Sequence, residues 1–488
     1  MNFHSIDYLL FLPLVVATYF AIPHRWRWAL LLLASNLFYA SWRWEYLALL
    51  WFTTLVDYFA ALAMPRAGRR GRNALLAFSL VGNLGLLFVF KYFALLANTT
   101  LYALRMGQVD PIEILLPLGI SFYTFQTLGY TIDVWRGKRQ PERHLGYFAV
   151  FVMYFPQLLA GPIERTGKLL PQFRQERRFD MSLVAAGAAL MLVGYFKKLV
   201  IADRLAMIIP PILADPSSVS PLGAVLASLG NIYRYYADLS GYVDIAIGSS
   251  MMIGITLSRN FNRPFAARSI YDYWQRWHIT VTTWIRDYVH IPLARKASSR
   301  AGREGAVIVT ILLVALWHGA SWPWIVAGLI AGVGMVAEGT FRRSRRIAAL
   351  RDGTAQRLGI APARLAMLRA SVSRAYLWFF LILLGSLANA PTMADALSMW
   401  AQMASVPHQL AALDLGLGSG FDIGRRFWIV PAAIAALEAY QWLDARRSVC
   451  ARVNARGAIV SWGFYLCLAT VILVLGSFGQ PGFIYFGY

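Results

Sequence analysis

The hydrophobic pattern is long runs rather than alternation. Apolar stretches near residues 6–22, 28–41, 44–64, 74–97, 112–134, 182–209, 222–257, 306–318 with 322–341, 373–388, 427–444 and 458–476 are separated by short polar loops. Measured against the ~20 residues that a helix needs to cross a bilayer, they predict an all-α polytopic membrane protein with about 11–12 transmembrane helices. No polar segment is long enough to form a separate soluble domain, so residues 1–488 read as one membrane-embedded domain. The first apolar run has no basic region ahead of it and is followed by Arg25 and Arg27, which reads as a first membrane helix rather than a cleavable leader.

Two stretches break the regular crossing. Residues 145–162 and 274–293 are apolar or aromatic, yet each is flanked by basic loops on the same side. A segment that enters and leaves on one side is re-entrant or interfacial, and irregular backbone at that depth needs protein or water around it. The breakers at Pro117, Gly119, Pro156, Gly161, Pro162, Gly319 and Pro323 fit such segments around a central cavity.

Composition sharpens this picture. The chain is 58% hydrophobic and 14% charged, with a formal net charge of +22; a soluble domain carries about 25% charged residues. The basic residues are gathered in loops at 65–72, 136–143, 165–178, 295–303, 342–351 and 446–456, whereas 98–111, 210–221 and 389–422 are poor in them. Basic loops stay cytoplasmic, which places both termini in the periplasm and the protein in a bacterial inner membrane. Because the arginines are dispersed over many loops, they form no nucleic-acid patch. Cys450 and Cys467, separated by roughly 25 Å if the chain between them is helical, suit neither a bridge nor a metal site.

Few polar groups fall inside the apolar runs. His318 ends the run 306–317 and precedes a Gly-to-Pro break. A membrane-depth histidine marks a functional site by default, as a catalyst, a proton relay or a paired structural group. His278 lies among Trp274, Gln275, Arg276 and Asp287, and on its chemistry is equally a structural histidine or a catalyst. His290, nearer Arg295, reads as interfacial. Asp238 and Asp244, six apart in the run 222–257, either pair with Arg234 or neighbouring helices or line the cavity. Asn260, with Asn262 and Arg263 before Pro264, is a turn-and-cap cluster or part of the site. No serine elbow, zinc-protease motif or phosphate loop is present.

The segments Trp274-Gln275-Arg276-Trp277-His278, Trp284-Ile285-Arg286-Asp287-Tyr288 and Leu316-Trp317-His318-Gly319 resemble the membrane-bound O-acyltransferase family. Residues 116–126, 157–163, 241–244, 260–265 and 483–486 extend the likeness, which looks like the branch of the alginate O-acetyltransferase membrane subunit. Cell-wall D-alanyl transferases share most of these segments, and residues 389–426 match none of them. The resemblance implies a ring of helices around a thin centre where a cytoplasmic donor meets a periplasmic acceptor. It implies His318 as the general base and His278 as the second catalytic residue, with Trp274, Gln275, Arg276, Asp287, Trp317, Asp238, Asp244 and Asn260 as cavity candidates. It implies no metal and no permanently bound cofactor; an acyl thioester, acetyl-CoA or an acyl carrier, is the co-substrate. Partners expected are the lipid bilayer, a periplasmic acetyltransferase or export-complex protein, a cytoplasmic acyl carrier and a polysaccharide acceptor. Two rival classes are a proton-coupled transporter relaying protons through His318 and a structural anchor for an export complex.

Overall fold

The computed structural model describes residues 1–104, 117–159, 161–344, 356–357, 360–388, 390–411, 428–445 and 448–479. Leu116, Ala160, most of the basic stretch 342–351 and the segment 483–486 lie outside the described residues. Helices make up the described regular structure, with no strand among the described residues. Two compact units emerge: Met1–Val200 with Asp238–Arg259 and Val449–Tyr488, and Ile201–Ala237 with Asn260–Ser448.

Seven helices among the described residues are long and apolar enough to cross a membrane: Trp44–Arg66, Arg69–Tyr92, Met181–Ala214, Arg300–His318, Trp322–Arg343, Pro362–Ala388 and Ala458–Leu475. The other apolar runs in the sequence have clear physical differences. Residues 6–22 form a 16-residue helix, Ile6–Ala21, with Pro13 inside it. In the described part of the run 112–134 a helix starts at Ile120, after Gly119 with a left-handed backbone, φ 74°. Residues 222–252 of the run 222–257 lie in a 32-residue helix, Pro221–Met252, interrupted in composition by Arg234, Asp238 and Asp244.

In the first unit, helices Leu47–Ala63, Arg69–Leu87 and Ile120–Trp135 pack against one another. Their shared interior holds Asp57, fully buried. Its carboxylate accepts hydrogen bonds from Asn83 Nδ2 at 3.0 Å, Thr131 Oγ1 at 3.1 Å and Ser79 Oγ. A buried carboxylate needs such donors, because desolvation without partners would be prohibitive. The stretch 145–162 forms helix Leu145–Met153, a break at Tyr154 and a short turn, Phe155–Leu158, nearly all buried. At that break the Phe151 carbonyl accepts from Gln157 Nε2 at 2.9 Å and from Gln126 Nε2. Side chains thus satisfy backbone that a continuous helix would have satisfied itself.

The second unit is built on a helical hairpin. Helices Arg300–His318 and Trp322–Arg343 are joined by only residues 319–321. A Cβ at Gly328 would sit 2.7 Å from Ala315 Cβ, and one at Gly332 would sit 2.8 Å from Ile308 Cα. The four-residue spacing puts both glycines on one face, where missing side chains let the two backbones approach closely. Ahead of the hairpin, residues 270–296 form a broken helix: Ile270–Trp274, Ile279–Ile285, a π-helical turn Arg286–His290, and Ile291–Lys296.

Candidate active site

One face of Arg300–His318 follows the helical repeat. Val307, Thr310, Ile311, Val314 and His318 line a cavity of about 480 Å³ in the second unit. Their spacing of three, one, three and four residues is one stripe of a 3.6-residue helix. The broken helix 270–296 supplies the facing wall, including Trp274, Gln275, His278, Thr282 and His290. The two histidines singled out in the sequence therefore line one cavity. Beyond the imidazoles the wall is mostly apolar surface, with Gln275, Thr282, Thr283, Arg286 and Thr310 as its other polar groups.

His278 is held in an unusual way. It is buried, and its backbone lies in the left-handed region at φ 44° and ψ 52°, starting the helix Ile279–Ile285. For a residue other than glycine this conformation costs about 1–3 kcal/mol and persists only where the surroundings fix it. Asn260 does the fixing. Its carbonyl oxygen accepts from Ile279 N at 2.8 Å, and its Oδ1 accepts from Thr280 N at 3.0 Å and Thr280 Oγ1 at 2.9 Å. Its Nδ2 lies 3.3 Å from His278 Nδ1. Asn262 N adds a bond to Arg276 O at 2.9 Å, closing the two segments together.

His318 is the last residue of its helix, where Gly319 leaves the helical conformation. Aromatic rings surround it. Trp324 stacks on the imidazole with centroids 5.4 Å apart, and Trp317 meets it edge-on at 4.8 Å. Trp317 also presents an edge to His278, centroids 6.0 Å apart and planes at 78°. One indole thus stands beside both imidazoles.

The other candidates divide. Trp274 and Gln275 line the cavity, Asn260 grips His278 and Trp317 touches both histidines. Arg276 pairs instead with Asp272 at 2.6 Å, one helical turn earlier, and Asp287 with Arg286 at 2.9 Å. Neither Arg276 nor Asp287 is among the described cavity-lining residues. Asp238 and Asp244 belong to the first unit, where they pair with Lys198 and Lys197, each at 2.6 Å. Of the two sequence readings, pairing with a neighbouring helix describes them, with lysines as partners that the sequence did not single out.

His290, expected to be interfacial, also lines the cavity, and its Nδ1 lies 3.4 Å from Thr310 Oγ1. The signal was present: Thr282, Arg286 and His290 follow His278 at intervals of four, which keeps them on one helical face. Trp324 also escaped the sequence reading, since its stacking depends on a tight turn that hydrophobic patterning does not register.

The profile described as MBOAT, membrane-bound O-acyltransferase family, matches residues 143–372, which include the cavity. The chain is 39% identical over 340 residues to the probable alginate O-acetylase AlgI of Azotobacter vinelandii, covering 68% of this chain and 67% of that protein. It is 31% identical over 372 residues to the peptidoglycan O-acetyltransferase of Helicobacter pylori, covering 69% of this chain and 70% of the relative. A teichoic acid D-alanyltransferase of Streptococcus thermophilus is 28% identical over 247 residues, covering 47% and 58%. The chain spans about two thirds of the length of the alginate O-acetylases it matches, 67% and 64% for two of them. The chain belongs to the membrane-bound O-acyltransferase family. It is a multi-pass membrane acyltransferase, and within the family it falls with the AlgI-like branch.

Proposed function

We propose that the chain, acting over 1–488 as one catalytic unit, transfers an acyl group from a thioester donor on the cytoplasmic side of the inner membrane to a hydroxyl of an exported polysaccharide, or to a periplasmic partner that acylates it. The observation that carries this reading is the convergence of His278 and His318 on one largely apolar cavity. Acetyl is the acyl group in this reading, because likeness over two thirds of the chain is to proteins named as O-acetylases and O-acetyltransferases. Alginate and related acidic polysaccharides are the corresponding acceptors.

The reaction balances with this chain's own groups. The neutral imidazole of His318 takes the proton of the acceptor hydroxyl as its oxygen attacks the thioester carbonyl. A C–O bond forms, the C–S bond breaks and the leaving sulfur takes the proton back from His318. General-base assistance of this kind contributes about 10²–10⁴-fold. His278 steadies the donor carbonyl, whose oxygen gains negative charge during attack. Trp317 and Trp324 flank the imidazoles, excluding the water that would hydrolyse the donor. The Arg-rich loops on the cytoplasmic side would draw an anionic donor, a coenzyme A thioester or an acidic acyl carrier.

The test is sided donor consumption. Purified protein in oriented vesicles, given acetyl-CoA and a soluble uronic-acid oligosaccharide, should consume the thioester when it is added to the cytoplasmic face. Turnover only from the opposite face would reverse the donor assignment, and absence of turnover with both acetyl-CoA and an acetylated carrier protein would remove the acetyl reading.

A further inference from the structure

The wall that ends at His318 carries a second polar point well before it. Thr310 precedes His318 by eight residues on the helix Arg300–His318, and both line the cavity. At ~1.5 Å of rise per residue they stand roughly 12 Å apart along the helix. From the broken helix, His290 places Nδ1 3.4 Å from Thr310 Oγ1. The Thr310 hydroxyl donates to Ala306 O at 2.6 Å, so its oxygen is what meets the ring. The other ring nitrogen of His290 has no hydrogen-bond partner among the described residues, and the side chain is only partly buried. The neighbouring polar groups are engaged differently. Thr282 and Thr283 turn their hydroxyls onto Trp277 O at 3.1 Å and Ile279 O at 2.8 Å, and Arg286 pairs with Asp287 at 2.9 Å.

We propose that His290, steered by Thr310, hydrogen-bonds the outer amide of a pantetheine arm, so that the cavity reads its thioester donor by the arm as well as by the acyl group. This rests on the acyltransferase reading of the cavity. Coenzyme A and an acyl carrier present the same arm. In an extended arm the two amide nitrogens lie roughly 5 Å and 10 Å from the thioester carbon. With that carbon at His318, the inner amide falls beside Val314, which stands about 6 Å back along the helix and offers it only apolar surface. The outer amide falls at the level of Thr310 and His290, within one hydrogen-bond length of the ring. An amide carries both an N–H and a C=O, so the imidazole can serve it in either tautomer.

The order of the groups agrees with the direction of entry. Helix Arg300–His318 starts next to the basic loop 295–303 and ends at His318. An arm that enters from the basic-loop side therefore passes Thr310 and His290 before its thioester reaches His318. The stripe between them, Ile311 and Val314, is apolar. A polar group set in such a wall discriminates well, because a ligand that lacks the matching amide leaves it unpaired and away from water.

The experiment removes the amide and the ring in turn. Full-length protein reconstituted in lipid, with a uronic-acid oligosaccharide as acceptor, is given S-acetylpantetheine or the same thioester with its outer amide replaced by two methylene groups. Wild type should favour the amide donor at least about 10-fold in kcat/KM, the scale of a buried polar group left unsatisfied. His290→Leu should bring that ratio close to one, and Thr310→Val, which keeps the side-chain shape, should lower it. Acetyl-CoA and an acetylated carrier protein should both lose rate in His290→Leu, and the one that wild type consumes faster than S-acetylpantetheine is the source of the arm. Wild type with no preference for the amide donor overturns the proposal, whether or not the variants fold. A His290→Leu protein that keeps the wild-type ratio overturns it too. So does one impaired with acetyl-CoA or the carrier but not with S-acetylpantetheine, which would place the ring on the donor's headgroup. A wild type that transfers acetyl from none of these thioesters fails the acyltransferase reading itself, whereas transfer without the amide preference fails the pantetheine assignment alone.

Discussion

The imidazole of His318 and the indole of Trp324 lie face to face, ring centroids 5.4 Å apart and planes inclined by 14°. His318 ends one helix and Trp324 lies in the first turn of the next, so their stack spans the hairpin turn. Gly319 makes it possible, because a Cβ there would lie 2.1 Å from the indole. At φ −154° the backbone of residue 319 suits any amino acid, so the requirement is space alone.

Gly319→Ala should therefore push Trp324 off His318 without unfolding the hairpin. Turnover is expected to fall about 10- to 100-fold, the scale of an ångström-sized misplacement at a reacting group. Trp324→Phe, which keeps a stacking ring, should retain more activity than Trp324→Ala. Initial rates of acetyl transfer beside thermal unfolding in detergent check this; a Gly319→Ala protein as fast as wild type would make the stack irrelevant to catalysis.

Replacing His318 itself separates base from scaffold. Glutamine keeps a hydrogen-bonding donor and acceptor but takes no proton at neutral pH. His318→Gln and His318→Ala are both expected to lose about 10²–10⁴-fold in rate, with a stability change of about 1–3 kcal/mol where a polar partner is left unsatisfied. His278→Gln should keep partial activity, since an amide N–H can replace an imidazole N–H. Near-normal transfer by His318→Gln would return His318 to a structural role.

Much of this site was legible in the sequence, for identifiable reasons. The apolar run before His318 and the break after it fixed where a helix ends, because glycine and proline punctuate the chain locally. The stripe from Val307 to His318 follows from helical periodicity. What did not follow were contacts between segments. The Lys198–Asp238 pair joins residues 40 apart, and the grip of Asn260 on His278 joins residues 18 apart through a left-handed residue. Hydrophobic patterning counts turns and faces but does not choose partners. Residues 145–162 and 274–293, read as re-entrant or interfacial from their flanking basic loops, have backbones that break at Tyr154 and between Trp274 and Ile279, and which partners hold those breaks was not legible.

The distribution of basic loops makes a sided expectation. If loops 65–72, 136–143 and 295–303 are cytoplasmic, both termini are periplasmic. Alkaline phosphatase fused after Tyr488 should be active and a fluorescent-protein fusion there dark. A bright, phosphatase-negative pair would invert the topology and with it the face from which the donor enters.

The Lys198–Asp238 pair bears on whether the first unit's charges serve structure or chemistry. Both side chains are almost wholly buried, at 2% and 4% exposure, with Nζ and Oδ1 2.6 Å apart. Their alignment depends on a close crossing, since a Cβ on Gly241 would lie 2.8 Å from Gly194 O and 3.1 Å from Lys198 N. Removing one member leaves a buried charge without this partner, which costs about 3–5 kcal/mol; replacing both by apolar groups of similar volume is often neutral or stabilising. A structural pair should therefore give a steeply destabilised Lys198→Met protein and a Lys198→Met/Asp238→Leu double variant that recovers most of the loss, with transfer activity following stability. Thermal unfolding in detergent and acetyl transfer measured on the same preparations decide it. If the double variant is as stable as wild type but inactive, Asp238 or Lys198 takes part in the reaction, and the cavity reading of these residues would replace the structural one.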